Sequence, residues 1–201
     1  MIRRPLCAML LAVPLLSVPI LAAHAAGEPV AQIEALDHAL LESMHAGPAM
    51  NASDRYQMLA PAIERAFDLP AMTAFAVGGA WSTFTSAEQQ ATVGAFTRLT
   101  ISSYAHNFRT FAGERFEVDP NAADRGPDKI VQCQLKLPHD APVSLVYRMR
   151  ASGGSWKIID VYYGAISQLT TRRSDFAASL AAGGASTLIA HLNSLSDDLM
   201  K

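Results

Sequence analysis

Residues 156–192 read WKIIDVYYGAISQLTTRRSDFAASLAAGGASTLIAHL, and this stretch decides the fold. It opens on a β-type run (Trp156, Ile158, Ile159, Val161, Tyr162, Tyr163) that breaks at Gly164. A helical segment follows, carrying Ser167, Arg172, Arg173, Asp175 and Phe176. Gly183 and Gly184 predict its end, because glycine is a poor interior helix residue and a good terminator. A second short amphipathic helix closes the chain. A strand that feeds a helix in this way needs a sheet to join and an apolar face for the helix to cover.

The sheet is found just upstream. Residues 115–119 form a first strand. Residues 129–137 alternate, with Val131, Cys133, Leu135 and Leu137 on one side and Gln132, Gln134 and Lys136 on the other. Residues 143–151 repeat the pattern, with Val143, Leu145, Tyr147 and Met149 set against Ser144, Arg148 and Arg150. Ser152-Gly153-Gly154 is a hairpin turn into residues 155–163. Residues 121–128 and 138–142 are turn-rich connectors. Consecutive strands with short links predict an antiparallel meander of about four strands, polar on one face and apolar on the other.

The N-terminal half supplies helices to cover that apolar face. Residues 30–44 place Ile33, Leu36, Leu40, Leu41 and Met44 at spacings of three and four. Residues 53–67 form a second helix, with Ser53 or Asp54 as its cap. A short apolar third helix over 72–81 ends near Gly78-Gly79. Thr85-Ser86-Ala87-Glu88 is a capping box, a hydroxyl and a carboxylate that satisfy each other's free backbone N–H. The long helix it opens runs to about residue 111, with Val93, Phe96, Tyr104, Phe108 and Phe111 on or near one face. The expected class is α+β.

The first residues have the pattern of an export signal. Arg3 and Arg4 precede an apolar stretch over 6–21, and Ala23-His24-Ala25 is a small-residue cleavage site. Pro5, Pro14 and Pro19 argue against a stable spanning helix. Residues 1–25 are therefore expected to be cleaved, leaving residues 26–201 as one soluble periplasmic domain. No other apolar run approaches the ~20 residues that span a bilayer. Cleavage would leave 14 basic against 18 acidic residues, a net charge of −4 that does not suit nucleic acid. Only Cys133 would remain, so no intramolecular disulfide is available.

Chemistry is hard to find. His38, His45, His106, His139 and His191 are not spaced as metal ligands, and there is no H-E-x-x-H or C-x-x-C. No phosphate-binding glycine loop and no nucleophile elbow is present. No catalytic residue, metal or cofactor is expected. Asp160, mid-strand between apolar residues, is either a buried proton-transfer base or an outward carboxylate. Period-2 alternation puts Ile159, Val161 and Tyr163 on the core face, so Asp160 should point outward, toward solvent or Arg148 and Arg150. Arg172, Arg173 and Asp175 could meet a phosphate or a partner, but on a helix after a strand such residues are more often a solvated face.

The order W-K-[IV]-x-D-V, G-x-S, T-x-[KR]-x-[DE]-[FW], G, L, L across residues 156–192 resembles the C-terminal signature of the MlaC-like family, periplasmic phospholipid-binding proteins. The wording RRSDF and GGASTLIAHL is closest to the hopanoid-associated HpnM branch. The resemblance implies helices and sheet enclosing an apolar cavity for lipid tails. It implies a carrier of phospholipid or hopanoid, with an inner-membrane lipid transporter complex and an outer-membrane lipid-handling complex as partners. The residues expected to line the cavity are Phe75, Tyr104, Phe108, Val131, Leu135, Leu145, Tyr147, Met149, Val161 and Tyr163. Two alternatives stand beside it. One is a small cone-shaped α+β enzyme with Asp160 as base. The other is a lipoprotein-carrier-like chaperone, which would show a long curved sheet and little helix.

Overall fold

A computed structural model of the chain describes residues 28–201, so the expected export signal lies outside the described residues. Helix α1 (Pro29–Ala46) starts on proline, whose fixed φ suits the first helical position. It buries Ile33, Leu36, Leu40 and Met44, the row expected from their spacing. Helix α2 (Ala52–Ala66) is capped by Asn51, whose side chain accepts from the Asp54 backbone N–H at 2.8 Å. Asn51 thus replaces the expected Ser53 or Asp54; it sits at the one position where the backbone is still extended.

A buried arginine joins these two helices. Arg55 is 2 % exposed, and its guanidinium donates to the carbonyls of Ser43, Gly47 and Met50 and to the Ser43 hydroxyl. The end of α1 has carbonyls with no partner inside the helix, and Arg55 satisfies them from the neighbouring element. Ser43 in turn donates to the Phe108 carbonyl at 2.7 Å, which ties the same corner to the end of the long helix.

Helix α3 (Leu69–Val77) ends at Gly78, and a 3-10 segment, Gly78–Thr83, follows. Helix α4 (Ser86–Asn107) opens on the expected capping box: Thr85 accepts from the Glu88 N–H, and Glu88 accepts from the Thr85 N–H at 2.8 Å. The C-terminal helix α5 (Gln168–Leu199) has non-helical backbone at Gly183 and Gly184, as the glycine pair predicted. Gly184 has φ +66°, a region that glycine enters without steric cost.

The sheet has six strands, two more than expected: β1 (Arg115–Val118), β2 (Ala123–Arg125), β3 (Asp128–Lys136), β4 (Val143–Ser152), β5 (Ser155–Tyr163) and β6 (Ile166–Ser167). The order is β1-β3-β4-β5-β6, with β2 also on β3, and every pairing is antiparallel. The two extra strands are short edge pieces of three and two residues: β2 lies in what reads as turn sequence, and β6 includes Ser167, which reads as part of the following helix. Asp128 fixes the β3–β4 register. Its buried carboxylate accepts from Arg150 Nε and Arg148 Nε, each at 2.6 Å, and these bonds, led by Arg150, hold its pKa below the usual carboxylate range.

Asp160 departs from expectation. The register between β4 and β5 shifts at Arg148/Met149: Arg148 faces Asp160, but Met149 faces Ile158. Ile159 is the extra residue of a β-bulge, so strict alternation through it fails. Asp160 is not a solvent-facing partner of Arg148 and Arg150, which both bind Asp128. It is 7 % exposed and accepts from the Ser167 hydroxyl at 2.7 Å and the Leu169 N–H at 3.1 Å. Ser167 itself accepts from the Thr170 N–H at 2.9 Å. Folding β6 back along β5 covers Asp160, and the carboxylate satisfies a free N–H in the first turn of α5.

The core lies between the apolar sheet face and the helices. Val131, Cys133, Tyr147, Met149 and Ile158 from the strands pack with Ile33, Leu59, Phe96, Phe176 and Leu188 from the helices. No helix among the described residues is long and apolar enough to cross a membrane.

Candidate functional site

The helices do not fill the whole sheet face. A cavity of about 420 Å³ remains between α4, the outer parts of β3, β4 and β5, and the start of α5. The α4 wall is Phe96, Thr100, Ser103, Tyr104, Asn107 and Phe108. Those positions advance by three and four and so share one stripe of the helix. The sheet wall is Leu135 from β3, Val143, Leu145 and Tyr147 from β4, and Val161 and Tyr163 from β5. Residues two apart on a strand face the same way, and the register sets Leu145 opposite Tyr163 and Tyr147 opposite Val161. Phe67, Met72 and Leu169 close the inner end, all of them buried. Exposed Asn107, Tyr163 and Gln168 mark the mouth, with half-buried Arg172 beside them.

Aromatic rings stiffen one side of the wall. Tyr104 stacks on Phe108 at 5.7 Å with 12° between planes, and Phe67 meets Tyr104 edge-on at 5.6 Å. Phe108 continues the row to Phe116 at 6.1 Å. Offset-stacked and edge-to-face rings are mutually favourable, so this row resists collapse into the open space.

Seven of the ten residues expected at the cavity line it: Tyr104, Phe108, Leu135, Leu145, Tyr147, Val161 and Tyr163. Three do not. Val131 and Met149 share a strand face with the liners but are fully buried in the core, where the helices cover that part of the sheet. Phe75 is 48 % exposed on the outside of α3, with the Arg173 guanidinium 5.3 Å from its ring centre. Helix α3 is apolar on nearly every side, so its sequence does not say which face is buried.

Phe67, Thr100, Ser103, Asn107, Gln168 and Leu169 line the cavity without having been expected there, and a buried acid beside it had no part in the sequence reading either. Asp37 of α1 is 3 % exposed; its Oδ2 accepts from Cys133 Sγ at 3.5 Å, and its Oδ1 has no partner. Burial raises its pKa to about 7, with the Cys133 bond opposing and Glu34 adding to the rise. Burial also raises the Cys133 thiol and the Tyr104 and Tyr147 phenols, and the Asp37 charge adds to each. The buried carboxyl therefore lies near the two cavity tyrosines. A signal was present in the sequence: 33, 37, 40 and 44 form one helical row, and Asp37 is its single acid.

Among the described residues, no group of three or more His, Cys, Asp or Glu is placed to hold a metal ion. Asp160 is not part of the cavity wall, so the one acid considered as a pocket base has no pocket to serve.

Fold and site together define an α+β domain that holds an apolar, solvent-accessible cavity between an antiparallel sheet and its covering helices. The family model described as MlaC protein matches residues 34–194, and the chain belongs to the MlaC family. Among solved structures it is similar to a phospholipid-binding protein from Ralstonia solanacearum, determined in complex with a phospholipid. That likeness has a TM-score of 0.75 at 24% identity and covers 86% of this chain and 99% of the other. Comparison with the curated proteins finds no match.

Proposed function

We propose that this chain is a periplasmic lipid carrier that buries lipid tails in the cavity and moves lipid between membrane transport complexes. The observation that carries this is the cavity itself, an open apolar space kept beside a well-packed core. A methylene occupies roughly the volume of a water molecule, about 30 Å³, so the space accepts on the order of fourteen methylenes. At ~0.8 kcal/mol for each buried methylene, that represents roughly 11 kcal/mol of relief from water. A carrier needs that relief and no reacting groups, which fits a wall free of any nucleophile–base pair.

The cargo is a phospholipid or a hopanoid. The Ralstonia solanacearum protein's phospholipid complex supports the first, and the wording of residues 172–192 supports the second. The expected partners are an inner-membrane lipid transporter complex and an outer-membrane lipid-handling complex. The expected signal over residues 1–25 supplies the compartment. Mass spectrometry of an organic extract of the purified periplasmic protein tests the reading. One lipid per chain is expected, on a chain that begins after Ala25. A lipid-free protein that also takes nothing from vesicles would overturn it.

A further inference from the structure

Two adjacent arginines, Arg172 and Arg173, open α5, and the structure separates their roles. Arg173 turns away from the cavity. Its guanidinium lies over the Phe75 ring and fills the space left by Gly78, where an added Cβ would stand 3.0 Å from Arg173 Nη2. Arg172 turns into the cavity and forms part of its wall, beside Gln168 one turn earlier and Asn107 from the end of α4. The arginines that form ion pairs among the described residues are Arg98, Arg115, Arg148 and Arg150, and Arg172 is not one of them. It is half-buried, so its charge is screened less than that of a fully exposed side chain.

A permanent cation on an apolar cavity wall, next to two neutral amides and with no carboxylate of its own, is complementary to an anion held at the mouth. Guanidinium offers a planar fork of N–H donors that matches phosphate oxygens, and the amides of Gln168 and Asn107 can add donors. We infer that Arg172, with Gln168 and Asn107, forms a phosphate-reading rim that makes the cavity selective for lipids bearing a phosphate directly above their chains. The inference rests on the carrier reading and adds a choice of cargo to it. Arg172 is a specificity residue. Tails of equal length contribute equally to every candidate, so the discrimination comes from the rim.

The test compares two lipids with identical chains, dioleoyl phosphatidylglycerol and dioleoylglycerol, each presented as a minor component of digalactosyldiacylglycerol vesicles, a host without phosphate. Bound lipid is counted by mass spectrometry after the protein is re-isolated. The unaltered protein should favour the phosphatidylglycerol by about tenfold, the scale of one charge-assisted bond to phosphate. Arg172→Gln should abolish that preference by lowering phosphatidylglycerol uptake, and an unchanged thermal melt shows that the variant is folded. Arg172→Lys should restore part of it, and Arg173→Gln should leave it intact. Equal uptake of the two lipids by the unaltered protein overturns the rim and leaves the carrier reading standing; uptake of no lipid at all, the host included, overturns both. Loss of preference in Arg173→Gln to the same extent would mean general surface charge, and would overturn the rim. Inorganic phosphate alone should give no Arg172-dependent heat in a calorimetric titration. Such a heat would reassign the site to a soluble anion and also overturn the proposal.

Discussion

Asp37→Asn should make this protein more stable in neutral and alkaline solution while changing little in acid. The carboxyl has an ordinary value of 3.8 when exposed, and burial in the fold raises it to about 7. Between those values the folded chain binds a proton that the unfolded chain has released. Stability therefore falls as pH rises from about 4 through about 7, and then levels off. The full loss follows from the shift at 1.36 kcal/mol per pH unit, about 4 kcal/mol. That is a large fraction of the roughly 5–15 kcal/mol that holds a domain together. Between pH 5 and pH 8 the change should be about 2–3 kcal/mol. Asparagine has nearly the same shape and does not ionise, so it removes the dependence. Urea unfolding of both proteins at pH 5 and pH 8 measures it, and other titrating groups cancel in the difference. If the two proteins lose stability in parallel as pH rises, Asp37 is already ionised or solvated in the fold and the reasoning fails.

Three further outcomes are expected. Leu145→Trp should fill the cavity and cut lipid uptake from vesicles at least about tenfold, with melting little changed because space already exists for the larger ring; undiminished uptake would show that lipid sits elsewhere. Arg55→Met should lower unfolding free energy by about 3 kcal/mol, because it removes the bonds to the Ser43, Gly47 and Met50 carbonyls at a buried corner; a chemical melt measures this. Gly184→Ala should cost about 1 kcal/mol, since a side chain is strained at φ +66°, and differential scanning calorimetry should show a lower melting temperature.

The sequence made most of the elements legible because each carries a local chemical signal. Thr85 and Glu88 mark the start of α4, Gly183 and Gly184 mark the break in α5, and alternation marks β3 and β4. Tyr104 and Phe108 on the long helix and Leu135, Leu145, Tyr147, Val161 and Tyr163 on the sheet were legible for the same reason, since periodicity says which residues share a face, whereas the polar liners Thr100, Ser103 and Asn107 carry no apolar signal. It does not say which part of that face is covered. Val131 and Leu135 lie on one side of β3, yet helices bury the first and leave the second beside open space. That difference depends on where α1 crosses the sheet, a long-range fact. Asp160 keeps the place opposite Arg148 that alternation gives it, and was misjudged as solvent-facing because β6 folds back over it, which is a long-range fact; the bulge at Ile159 instead puts Ile158 in the core where Ile159 was expected. Phe75 was misplaced because uniform apolarity leaves a short helix without a readable face.

The break at Gly183 and Gly184 also has a mechanical consequence. An unbroken helix of 32 residues would be a rod about 48 Å long at 1.5 Å rise per residue. Such a rod is a lever: a small tilt at its cavity end would swing its far end, where Leu188 and Leu192 sit in the core, through a larger arc. The two glycines interrupt the transmission. A tilt of the segment that carries Leu169 and Arg172 is not passed through a continuous helix to Leu188 and Leu192. Thr187 guards that joint, since its Oγ1 would collide with any side chain added at Gly183. The half of α5 that forms the cavity wall and the half that carries Leu188 and Leu192 are each packed into the core on their own, joined through glycine.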